Sequence, residues 1–115
     1  MEQNIMEKIG EVSIADEVIA AIAGLAATDV KGVASLGCGI THDMISRSGE
    51  KSLAKSIRLN KADNKVGIKV ALILDSTVSI PEVSRNTQEK VKSAVESMTG
   101  MEVTGVSVTI SGVNV

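Results

Sequence analysis

No phenylalanine, tyrosine or tryptophan occurs among the 115 residues. A core must therefore be assembled from Val, Ile, Leu, Met and Ala, each large aliphatic side chain contributing about 1.5–3 kcal/mol on full burial. The same absence removes the aromatic platforms on which small sheets stack single-stranded nucleic acid. The single cysteine, Cys38, rules out an internal disulfide and fits a reducing compartment. With one histidine, His42, it offers two neutral-site ligands where zinc takes three or four, so no metal and no cofactor is expected. The longest apolar run, Val18 to Ala27, is ten residues, well short of the roughly 20 that a membrane span needs. The start, MEQNIMEKIGE, has no signal-peptide pattern. These features read as a cytoplasmic protein.

What is present is 43% hydrophobic residues in a length that suits one domain. Residues 1–9 read as a loose polar leader and residues 10–115 as a single domain. The net charge of −2 is unevenly distributed. Residues 47–69 hold seven bases against Glu50 and Asp63, a local +5, which leaves −7 elsewhere. Such a zone suits phosphates or acidic partners, or protects a sheet edge with lysines.

The organising stretch is Thr77 to Val115, one amphipathic helix feeding one alternating strand. Pro81 fits the first helical turn, where its missing N–H has no partner to lose. Val83, Thr87, Val91, Ala94, Val95 and Met98 follow the helical period and form the expected buried stripe, and Gly100 is the expected C-terminal stop. Val106, Val108 and Ile110 then alternate with Ser107, Thr109 and Ser111, until Gly112 shifts the phase as a bulge would. The front of the chain follows related logic. Glu11 to Ile14 reads as a short strand or an extended entry, Ser13 as an N-cap, and Ala15 to Thr28 as a helix with Val18, Ile22, Leu25 and Ala26 toward the core. Its other side, Ala20, Ala21, Ala23, Gly24 and Ala27, is too small and apolar for a solvated face. That side invites close backbone approach, either within the domain or to another molecule.

Val33 to Leu36 is the next strand, broken by Gly37-Cys38-Gly39. A helical turn near Asp43–Ser48 precedes an exposed connection. Ser56–Asn60 and Lys65–Leu74 form an antiparallel hairpin about Asp63-Asn64, with Val66, Ile68, Val70, Leu72 and Leu74 inward. The order β-α-β-β-β-α-β gives an α+β two-layer sandwich, a small mixed β-sheet with two helices packed on one face. The other face presents Arg58, Lys65, Lys69, Ser107, Thr109 and Ser111.

No catalytic constellation emerges. Cys38 and His42 are four apart, which would pair them on a helix, but glycines flank the cysteine and argue for a loop. Gly37-Cys38-Gly39 lacks the Lys-Ser/Thr of a phosphate loop. The residues that remain as interaction candidates are Ala20, Ala23, Gly24 and Ala27 on the first helix and Arg58, Lys65 and Lys69 on the sheet.

Ser79-Ile80-Pro81-Glu82-Val83, Val91 to Glu96, the run Met98-Thr99-Gly100-Met101-Glu102-Val103-Thr104, and Val106-Ser107-Val108 together resemble the alkaline shock protein family of Gram-positive bacteria. Gly10 to Ile14, Val18-Ile19 and Val30-Lys31-Gly32-Val33 agree. The resemblance implies a non-enzymatic cytoplasmic protein of cell-envelope homeostasis or stress response that forms homo-oligomers. Some members of that family are held at the membrane by a separate anchor protein, which makes a protein of that kind a candidate partner. The expectation is a scaffold or adaptor acting by self-association and protein–protein contact. The alternative is a small α+β RNA-binding module using the basic 47–69 region.

Overall fold

A computed structural model of the chain describes residues 16–48 and 56–114. The expected first strand, its Ser13 cap, the leader and most of the connection before Ser56 lie outside the described residues. The elements are α1 (Asp16–Thr28), β1 (Val33–Leu36), α2 (His42–Ser48), β2 (Ile57–Ala62), β3 (Lys65–Asp75), α3 (Ile80–Thr99) and β4 (Glu102–Asn114).

β3 is the axis. Its alternation of Val, Ile and Leu with Lys, Gly and Ala becomes an alternation of buried and more exposed residues, as a half-buried strand requires. Val66, Ile68, Val70, Leu72 and Leu74 are all at most 2% exposed. On one edge β3 carries two strands end to end. β2 runs antiparallel along its first half and β1 antiparallel along its last residues. Ala71 marks the handover: its N–H donates to the Ser56 carbonyl and its own carbonyl accepts from the Gly37 N–H, both at 2.8 Å. On the other edge β4 runs parallel to β3 along the whole strand. Among the described residues the sheet is mixed and three ranks wide, and the fold is α+β as expected. The hairpin closes at Asp63, whose φ of 55° lies in the left-handed region that a short polar side chain tolerates.

β4 keeps register with β3 through two bulges, one at Thr104 and one at Ser111. The second is the phase shift expected at Gly112. The first lets β4 begin at Glu102, earlier than the alternation suggested.

Both long helices cover one face. α1 packs on α3 and over β1 and β2, while α3 packs over β4. α3 behaves as expected at Val83, Thr87, Val91 and Val95, which are buried, and at Gly100, an αL cap with φ 74° whose N–H bonds Glu96 O. Met98 does not: it is 72% exposed. It lies in the last turn of α3, past Val95, where the buried stripe ends. α1 is rotated from the expected phase. Ile19, Ala20, Ala23, Gly24, Ala26 and Ala27 are buried, whereas Val18 is 49% exposed and Ile22 and Leu25 are half-buried. A helix wedged between a second helix and a sheet gains most contact by turning its smallest side inward, because the backbones then approach closely.

Candidate interaction surfaces

Ala20, Ala23, Gly24 and Ala27 sit inside the domain, against α3 and the sheet, and Ala23 and Ala27 have no exposed surface. Arg58, Lys65 and Lys69 lie exposed on the sheet face that turns away from the helices. The structure brings Arg58 and Lys69 together as directly opposed residues of β2 and β3, with Ser107 of β4 next in the same row. The neighbouring row is Asn60, Gly67 and Gly105. Because two of its three residues have no side chain, this row forms the floor of a shallow trough of about 450 Å³, bordered by Arg58, Lys69, Ser107 and Thr104.

The second surface is the outer edge of β4. The Glu102 N–H turns toward β3 and bonds Asn64 O at 2.9 Å. The Val103 N–H turns the other way and donates to Glu96 Oε2 at 3.0 Å, while Gln88 Nε2 donates to Val106 O at 3.0 Å. Two side chains of α3 thus occupy outward peptide groups at the start of β4. Strand alternation turns the peptide groups of Val108 and Ile110 to the same outer side, and no strand among the described residues pairs there. From Val103 to Asn114 the strand has no charged residue and no proline. Its helix-facing row, Val106, Val108 and Ile110, is only half-buried, and Val113 is 43% exposed. The uncharged run was visible in the sequence; that this strand forms an edge of the described sheet was not.

Glu96 joins helix to edge. Its carboxyl is held below the ordinary value of 4.5, first by the Val103 N–H and then by Lys92, whose Nζ lies 3.1 Å away. A carboxyl depressed in the native state stabilises the fold fully above its unfolded value, and that contribution is lost as pH falls through the lower native value. Glu96→Ala is therefore expected to lower the melting temperature at neutral pH, with the gap to the parent protein closing as the pH drops below 4.5. Thermal melts of both proteins across that range measure the gap. A gap that stays constant into acid would show that the ionised form carries no part of it.

Asp29, just past α1, gathers Lys90 of α3 at 2.9 Å and His42 of α2 at 4.0 Å. Its carboxyl is lowered chiefly by the Lys90 hydrogen bond and charge. His42 is thus directed to Asp29. Cys38 is exposed, and its N–H donates to Ser56 Oγ at 2.9 Å. Among the described residues no three of His, Cys, Asp or Glu gather as a metal site, and no helix is long and apolar enough to cross a membrane.

The model of the alkaline shock protein 23 family, described as having a cell envelope-related function, matches residues 4–115. The chain belongs to the alkaline shock protein family. The resemblance read from Ser79–Val83 and Met98–Thr104 therefore extends over nearly the whole chain. Proteins similar to this alkaline shock domain include YqhY of Bacillus subtilis (strain 168), 32% identical over 105 residues that cover 91% of this chain and 78% of YqhY. Spy1535 of Streptococcus pyogenes serotype M6 is 34% identical over 108 residues, 93% of this chain and 81% of Spy1535. Among solved structures, MamM-CTD H285A superposes with a TM-score of 0.53 at 13% identity, covering 85% of this chain and 98% of that one. The copper form of MamM CTD D249H gives the same values. At such identity the likeness is one of fold.

Proposed function

We propose that this alkaline shock domain is a non-catalytic cytoplasmic scaffold that works by self-association and protein–protein contact in cell-envelope homeostasis, with any membrane attachment made through a partner protein. The observation that carries the reading is the β4 edge. Natural sheets protect long edges with lysine, proline or strong irregularity, because an open row of N–H and C=O groups is a template for another strand. Here the uncharged run Val103 to Asn114 forms the outermost strand among the described residues, and between the Gln88 bond to Val106 O and the bulge at Ser111 its segment Ser107 to Ile110 keeps a regular outer edge.

A second copy fits that edge. In an antiparallel pairing about a two-fold axis at Val108, Val106 faces Ile110 of the second copy and Ser107 faces Thr109. Apolar rows then meet apolar rows, hydroxyl rows meet hydroxyl rows, and both sets of helices fall on one side of a continuous sheet. The joined half-buried rows lose their remaining contact with water, which drives the association. A scaffold assembled this way presents its outer sheet face in multiple copies, so weak contacts to a partner gain avidity.

Val108→Lys tests this. A lysine on the strand adds like charge at the proposed axis while its stem covers the same apolar surface. By light scattering, the parent protein is expected to run as a dimer or larger and the variant as a monomer with unchanged circular dichroism. A parent protein that is monomeric at high micromolar concentration would overturn the reading, as would a variant that stays associated.

A further inference from the structure

We infer that the trough on the open sheet face is a docking site for an extended, acidic segment of a partner protein, gripped by Arg58 and Lys69. It deepens the scaffold reading by stating what the scaffold holds, and it lies on a different surface from the β4 edge.

Three independent features converge there. Arg58 and Lys69 are directly opposed across β2 and β3. Like charges in that relation destabilise a sheet unless an anion lies between them, and among the described residues neither cation enters an ion pair. Beside them Gly67 occupies a central strand, where glycine weakens pairing by about 0.5–1 kcal/mol relative to alanine. The fold does not require it. Its φ is not positive, and a Cβ there would make only ordinary contacts, the nearest Thr104 Oγ1 at 3.5 Å. Gly105, its neighbour across β3 and β4, would place a Cβ in open space. What both glycines preserve is the depth of the trough, the feature expected where another backbone comes close.

The remaining lining defines the chemistry. Asn60, Ser107 and Thr104 offer neutral hydrogen-bonding groups around the two cations. The guanidinium of Arg58 presents a planar fork suited to a carboxylate. The trough is open and shallow, so it would leave a small molecule largely in water, whereas a polypeptide laid along it spreads its contacts. Side chains two apart on an extended segment lie about 7 Å from one another. That spacing is within reach of two long cationic side chains on adjacent strands, so the segment has the pattern acid-x-acid. The absence of aromatic residues argues against an RNA strand, which would have nothing to stack on.

The test is fluorescence anisotropy with a fluorescein-labelled peptide of alternating glutamate and serine, titrated with the full chain at low and physiological salt. Arg58→Glu and Lys69→Glu are each expected to weaken binding by at least about ten-fold. Lys31→Glu, the same charge change at an exposed turn away from the sheet face, should leave binding within about two-fold. Gly67→Val changes no charge, and its side chain fills the trough; it too should lose about ten-fold or more. Gly105→Thr, which meets open space, repeats the test should the first variant fold poorly by circular dichroism. The monomeric Val108→Lys protein should bind the single peptide as the parent does, so failure of self-association and failure of the trough give different results. Three outcomes would overturn the inference: peptide binding as strong in both glycine variants as in the parent, an equal loss in Lys31→Glu, or a single-stranded RNA of matched charge binding more tightly than the peptide through Arg58 and Lys69.

Discussion

Gly32→Ala is expected to lower the unfolding free energy by about 2–4 kcal/mol, from backbone strain and overpacking together. Gly32 sits in the turn between α1 and β1 with φ +102°, a conformation that resists any L side chain. Space is also lacking. A Cβ there would come within 2.9 Å of Val83 Cγ2 and 3.0 Å of Val78 Cγ1, both from the entry to α3. Both neighbours are branched at Cβ and stiff, and Val83 is buried, so neither can swing away. The turn also holds the far end of the sheet, because the Asp75 N–H donates to Gly32 O at 2.8 Å. Moving the glycine to relieve the clash breaks that bond. Urea denaturation followed by circular dichroism measures the change. A loss below about 1 kcal/mol would mean that the turn and α3 separate readily, and that the junction of α1, β3 and α3 is looser than its contacts indicate.

Leu72→Ala is expected to cost about 2–5 kcal/mol, the range for removing a large aliphatic side chain from a packed interior. Leu72 has no exposed surface and stands in the middle rank of the sheet, with Leu36 of β1 on one side and Ile110 of β4 on the other. A core without aromatic residues makes such a site hard to repair. The Val, Ile and Leu side chains around it are short and branched, so they cannot extend into the cavity as a methionine would. The loss should appear as a lower urea midpoint with an unchanged slope, since the same surface is exposed on unfolding. It should also weaken self-association, because Ile110 draws its position in β4 from Leu72. A stable variant that remains associated would place the edge's support elsewhere, chiefly in the Glu96 and Gln88 bonds from α3.

These expectations differ in how far they could be read without coordinates. The β3 alternation, the Asp63-Asn64 turn, the Pro81 start and Gly100 stop of α3, and the phase shift near Gly112 were all legible. Each is a local matter: a period of two, a left-handed turn, a missing N–H, a bulge. Local patterns of this kind determined an α+β layer with an aliphatic core and a basic zone spanning the hairpin. Neither the facing of α1 nor the burial limit of α3 was legible in the same way. α1 is apolar on nearly every side past its first turn, so periodicity had no polar face by which to orient it. The competition between Ala23 and Val18 for the interior was decided by how closely α3 and the sheet approach. Met98 continues the buried period in sequence, but in space the packed stripe ends at Val95.

The interaction surfaces divide between the two: strand alternation placed Arg58, Lys65 and Lys69 on the face away from the helices, but not their neighbours. That Arg58 opposes Lys69, that Gly67 meets Gly105 across β3 and β4, and that an uncharged strand is the outermost of the described ones are facts of pairing between segments far apart in the chain. Sequence determined which groups were available and which face of each strand they share. Only the tertiary structure decided their neighbours, because strand order and register are set by the packing of both helices on one side of β3, a sum of long-range contacts that no local window contains.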